Sequence, residues 1–131
     1  EEARQLTGEY ALKTAAKRIM DLGPRLVIIK KGEHGALLFS ADEVFYAPAL
    51  PLEEVFDPTG AGDTFAGGLM GYLSIQEDVT FDSLKKAVIA GSALASFCVE
   101  KFGTQRLEEL TKNELDERIK EFYTLSQFEL A

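Results

Sequence analysis

The run Asp57-Pro58-Thr59-Gly60-Ala61-Gly62-Asp63-Thr64-Phe65 holds the residue types in this chain best suited to chemistry. Gly60 and Gly62 remove side chains where the chain enters a helix, which bares the backbone N–H groups of Ala61, Gly62 and Asp63. Those donors and the positive end of the helix dipole together form an anion site. A donor fixed where charge develops in a transition state is worth about 3–4 kcal/mol. Asp63 places a carboxylate beside that site. It would repel a bound phosphate, so it is a poor binding device there. It is well placed as a general base for an attacking hydroxyl, a role that contributes ~10²–10⁴-fold. By residue type alone, Asp63 could equally cap the helix while Gly60 and Gly62 make a turn.

Such a loop needs a strand to deliver it and a helix to receive it. The apolar spacing predicts a short helix over 2–6 stopped at Thr7-Gly8, and a helix over 9–22 carrying Ala11, Leu12, Ala15, Ile19 and Leu22 on one face. Gly23-Pro24 ends it. Leu26 to Ile29 is an unbroken apolar run, the pattern of a strand buried on both faces. A turn over 32–35 leads to a second strand, Ala36 to Phe39, and Asp42-Glu43 leads to a third, Val44 to Ala47. A fourth short strand is expected at Glu54 to Phe56. A helix is expected over Ala61 to Leu73 despite Gly67, Gly68 and Gly71, which cost it roughly 1 kcal/mol each against alanine. Three glycines make sense there if another backbone packs on that face. The longest helix is expected over Phe81 to Phe102, closed by Gly103, and a last one from Lys112 to about Thr124, with Thr111 and Glu114 as its capping box. Strands alternating with long helices imply an α/β fold with a mostly parallel sheet, which takes ligands where a strand's carboxyl end leads into a helix.

The 131 residues suffice for one domain, read as a single segment over 1–131. With 22 acidic against 14 basic side chains and a net charge of −8, the chain lacks the clustered cations that bind nucleic acid. The single cysteine, Cys98, reads as a small buried helix residue and can form no internal disulfide, which points to a reducing, cytoplasmic setting. No apolar run approaches membrane-spanning length, and no leader is seen. The chain starts at Glu1, without methionine and within a helical pattern, which suggests a fragment, a processed chain or a trimmed one.

Asp-x-Thr-Gly-Ala-Gly-Asp-x-Phe, followed by Ala66-Gly67-Gly68, closely resembles the C-terminal signature of the ribokinase-like (PfkB) kinases. The resemblance implies a three-layer α/β/α fold, present as its C-terminal, nucleotide-binding part, with helices on both faces of the sheet. It implies an enzyme that moves the γ-phosphoryl group of Mg²⁺-ATP to a hydroxyl of a sugar, nucleoside or similar small molecule. Asp63 would be the catalytic base, and the loop Gly60, Ala61 and Gly62 the anion hole. Asp57 and Thr59 match positions that help hold a monovalent cation, K⁺, in some members. Lys31-Gly32-Glu33-His34-Gly35 resembles the family's Gly-x-x-Gly turn along the nucleotide phosphates, placing Lys31, Gly32 and Gly35 there; read alone it is a hairpin turn. Ser92, Ala95 and Val99 would border the adenine pocket, although Ser92 stands where many relatives have asparagine. Gly103-Thr104 falls where relatives complete the cation and nucleotide loop, and Thr59 is a further nucleotide contact that the resemblance implies. Glu2 resembles the glutamate of an Asn-x-x-Glu motif that influences Mg²⁺.

A dinucleotide-binding oxidoreductase would need glycine where Phe65 stands, and a P-loop nucleotidase would need a Gly-Lys-Ser/Thr that is absent from the sequence. A non-catalytic adenine-nucleotide-binding module remains as the alternative, because the resemblance covers only part of the family's fold. The N-terminal strands and substrate lid have no counterpart in these residues, so the segment alone is expected to be weakly active or inactive. Apolar sheet surface left bare would favour self-association, such as a homodimer. The acceptor is not legible in this part.

Overall fold

A computed structural model describes residues 2–9, 11–50, 60–98, 109–128 and 130. Their contacts gather into two compact units, Glu1–Ala47 and Pro48–Ala131, within what the sequence reads as a single segment. No helix of the described residues is long and apolar enough to cross a membrane.

The first unit holds helices α1 (Glu2–Thr7) and α2 (Leu12–Asp21) and strands β1 (Val27–Lys30), β2 (Ala36–Phe39) and β3 (Val44–Ala47). Helix α2 starts later than its apolar spacing suggests. Ala11 is extended (φ −71°, ψ 122°), and Glu9 lies outside the helix, where its carboxylate meets Arg18 Nε at 2.8 Å. The helix buries Ala15 and Ala16, with Leu12, Ile19 and Met20 half-buried. Leu22, expected on that face, is beyond the last turn and 71% exposed. Ala16 packs with Val27, Ile29 and Phe39, so the helices cover one face of the sheet. Each large apolar side chain fully buried there contributes about 1.5–3 kcal/mol.

The sheet order is β1-β2-β3, and both pairings are antiparallel, with Val27 opposite Phe39 and Leu37 opposite Tyr46. The parallel pairings implied by the strand–helix alternation are not among the described strands. The reason is chain length: the links at 31–35 and 40–43 are tight turns, whereas a parallel crossover needs about a dozen residues or more. Strand β1 alternates buried and less buried positions. It is β2 that is closed on both faces, with Leu38 fully buried and Phe39 only 4% exposed.

The second unit holds α3 (Ala61–Ser74), α4 (Phe81–Cys98) and α5 (Lys112–Ser126). Helix α4 is the most buried, with Ala87, Val88 and Ala93 at 0% exposure, because it packs against both α3 and α5. Its start is closed by a reciprocal pair: Ser83 N–H donates to Thr80 Oγ1 at 3.1 Å, and Thr80 N–H donates to Ser83 Oγ at 2.8 Å. The expected capping box of α5 is formed, with Glu114 N–H donating to Thr111 Oγ1 and Thr111 N–H to Glu114 Oε1. The expected strand at 54–56 and the helix end at 102–103 lie outside the described residues.

Candidate functional site

Helix α3 begins at a glycine in the left-handed region: Gly60 has φ 83° and ψ −4°. An L side chain there costs about 1–2 kcal/mol, so the turn selects glycine. Having no side chain, Gly60 supplies no cap to the first N–H groups of the helix. The first donor with a partner is Thr64 N–H, which reaches Gly60 O at 2.9 Å. Among the described residues nothing accepts from the amides of Ala61, Gly62 and Asp63. Three aligned donors therefore stand at the positive end of a helix, as an anion site requires.

Asp63 is exposed in the first turn of α3. A carboxylate acting as a cap at this position would reach back to the Gly60 N–H. No described donor or cation engages it. Among the described residues the carboxylate therefore has no cap bond, and it lies in the same first turn as the amides without a described acceptor.

Behind the loop stands helix α4. A Cβ added to Gly68 would lie 2.9 Å from Gly91 Cα and 2.8 Å from Leu94 Cδ1, while one added to Gly91 would lie 2.6 Å from Phe65 O. The two helices cross backbone to backbone at this point, and only glycine permits it. Gly67 and Gly71 have open space instead, so close packing accounts for one of the three α3 glycines. Buried Cys98, at the end of the described α4, carries its Sγ to 4.0 Å from where a Gly60 Cβ would sit. Helix α5 holds this end of α4 through Arg118, whose Nη1 donates to Ser96 Oγ at 2.7 Å and whose guanidinium lies 3.9 Å from the Phe97 ring centre.

In the first unit, the segment from Lys31 to Gly35 forms a single 3₁₀ turn over Gly32–His34. Both of its glycines take positive φ, 56° at Gly32 and 93° at Gly35. Lys31 N–H donates to Gly35 O at 2.7 Å, His34 N–H to Lys31 O at 3.0 Å and Gly35 N–H to Gly32 O at 3.3 Å. From the third strand, Tyr46 Oη donates to His34 O at 2.8 Å.

Of the remaining positions singled out in the sequence, Ser92 and Ala95 are half-buried, one turn apart on α4, and Glu2 is exposed in the first turn of α1. Asp57, Thr59, Val99 and Gly103 lie outside the described residues. Among the described residues no three His, Cys, Asp or Glu side chains gather as a metal-binding group. Sequence reasoning missed the neighbourhood of Gly60 and Cys98, the hold of Arg118 on α4 and the hold of Tyr46 on the turn. Each joins residues far apart in the chain, and no local spacing announces such a pair.

Residues 1–111 match the model of the pfkB family of carbohydrate kinases, and the chain belongs to that family. It is 46% identical over 74 residues to a cytidine kinase of Thermococcus kodakarensis, covering 54% of this chain and 26% of that protein. Among solved structures, aminoimidazole riboside kinase from Salmonella enterica, complexed with aminoimidazole riboside and an ATP analogue, superposes with a TM-score of 0.76 at 33% identity, covering 96% of this chain and 40% of that one. Ribokinase from Thermotoga maritima superposes with a TM-score of 0.72 at 28% identity, covering 90% of this chain and 38% of that one. The fold is thus the ribokinase-like α/β fold, of which these residues form one part. The chain spans 26% and 32% of the length of the first two curated relatives it matches.

Proposed function

We propose that the whole protein is an ATP-dependent phosphotransferase that moves the γ-phosphoryl group to a hydroxyl of a sugar, nucleoside or similar small molecule. The observation that carries this reading is the start of α3, where three amides without a described acceptor adjoin a carboxylate without a described partner. Asp63 takes the proton of the acceptor hydroxyl as its oxygen attacks the γ-phosphorus. The bond from that phosphorus to the β,γ-bridging oxygen breaks, and ADP leaves with the electron pair. The amides of Ala61, Gly62 and Asp63 hold the equatorial oxygens of the migrating group, where positioning and charge stabilisation supply most of the catalysis. Mg²⁺ would enter with the nucleotide, held by its phosphates and by water, and would offset the charge of the phosphates.

The Lys31–Gly35 turn and the Ser92–Ala95 face of α4 are the further nucleotide contacts we assign. Asp57 and Thr59 are assigned to a monovalent cation, K⁺, and Glu2 to an indirect effect on Mg²⁺. The relatives named for cytidine and aminoimidazole riboside support ribosides as the first acceptors to try. Because these residues correspond to 40% or less of the matched kinases, the 131-residue segment by itself should turn over weakly or not at all.

The test is a screen of the full-length protein with Mg²⁺-ATP against a panel of nucleosides and sugars, reading ADP formation. Acceptor-dependent ADP supports the reading. ATP binding without turnover on any acceptor would replace it with a non-catalytic nucleotide-binding module.

A further inference from the structure

We infer that Tyr46 is a positioning residue for nucleotide binding, acting through the turn at Lys31–Gly35. The inference rests on the assignment of that turn to the nucleotide under the proposed function. It starts from an excess of restraint. A hairpin turn needs only its own backbone hydrogen bonds, and this one already has three. It is nevertheless held by a fourth, from a side chain twelve positions along the chain: Tyr46 Oη to His34 O, 2.8 Å.

Packing does not explain the tyrosine. Its side chain is on an outward position of β3 and the residue is 50% exposed, so the hydroxyl could be satisfied by water and the ring adds little to a core. Register explains how it reaches. Tyr46 pairs with Leu37 across the sheet, close to the point where β2 leaves the turn.

Its acceptor is the carbonyl of the peptide that joins His34 to Gly35. That peptide also carries the Gly35 N–H, whose bond to Gly32 O is the longest of the turn's three, at 3.3 Å. Gly35 itself sits at φ 93°, ψ −156°, a conformation open essentially to glycine alone. Fixing the carbonyl therefore fixes the orientation of a peptide whose N–H makes the longest of the turn's three bonds. A turn prepared in this way presents one backbone shape to a ligand and loses less freedom on binding it.

The test is Tyr46→Phe in the full-length protein, which removes one oxygen and keeps the ring. The expected result is an ATP Kd and KM raised about 3- to 10-fold, the range of one lost hydrogen bond. The acceptor KM should hold within about twofold, and Tm should stay close to that of the parent, since a bond on an exposed tyrosine adds little to global stability. Amides at 31–35 should exchange hydrogen faster. An unchanged ATP affinity would overturn the inference, whatever the exchange rates do. So would equal losses for ATP and acceptor together with a lowered Tm, which mark a general structural role. Failure of the kinase reading is separable: absence of acceptor-dependent ADP from the parent protein sinks that reading, while the ATP Kd of the parent and variant still decides the role of Tyr46.

Discussion

Two glycine turns, one in each unit, use their backbones in opposite ways. In the turn at Lys31–Gly35 the amides of Lys31, His34 and Gly35 are engaged by carbonyls of the same turn, and a tyrosine from the third strand secures it from outside. At Gly60–Asp63 the amides of Ala61, Gly62 and Asp63 have no described acceptor, although the segment is equally rich in glycine. Glycine permits both outcomes by allowing positive φ. The difference lies in the element each turn enters. A turn that closes back into a strand brings its own carbonyls to its donors, whereas a turn that opens into a helix directs its carbonyls down the helix and leaves its first donors facing out. The first arrangement fixes the shape of a turn, and the second leaves helix-start donors without a described acceptor, which is why the proposed anion hole is placed there.

Substitutions can break or sharpen that contrast. The largest effect is expected at Asp63. Asp63→Asn in the full-length protein should lower turnover ~10²-fold or more while leaving ATP binding within about twofold, measured by steady-state kinetics and calorimetry. Undiminished turnover would return Asp63 to a structural role. Next come two glycines whose substitution should act in opposite senses. Gly35→Ala forces a side chain into a conformation reserved for glycine and should cost about 1–3 kcal/mol of stability, visible in chemical denaturation. Gly62→Val should leave stability nearly unchanged and weaken ATP binding about tenfold or more, equivalent to about 1.4 kcal/mol, because the new side chain would stand where the proposed anion hole receives the phosphate. If both variants lose stability and neither loses affinity, the two turns do not differ in kind. The smallest effect is expected at the α5 cap, away from both turns. Thr111→Ala removes the acceptor for Glu114 N–H and should cost about 1 kcal/mol in denaturation with kinetic constants intact.

Much of the local structure is legible in the residues. The strands at 36–39 and 44–47 lie where apolar runs between turn residues put them, and the α5 capping box is formed as Thr111 and Glu114 predict. Helix α3 starts at Ala61 after a glycine in the left-handed region, as a bare-amide site needs. Other readings fail for identifiable reasons. Helical spacing extends the pattern of α2 back to Glu9, but Ala11 is extended, and Glu9 stands outside the helix with its carboxylate paired to Arg18 on the helix. Gly67, Gly68 and Gly71 look alike because all three are small, yet only Gly68 meets the backbone of α4.

The order of residues determined on its own the set of short-range events: where donors are bared, where a cap closes a helix, where a turn reverses the chain. These come from steric limits on φ and ψ and from hydrogen bonds between residues three or four apart. Tertiary structure alone decided which of those events are supported from a distance, as with Cys98 beneath Gly60, Gly91 against Phe65 and Tyr46 on His34. Such contacts form only after separate elements have packed. Their energies depend on an approach of a few ångströms that no periodicity in the sequence encodes.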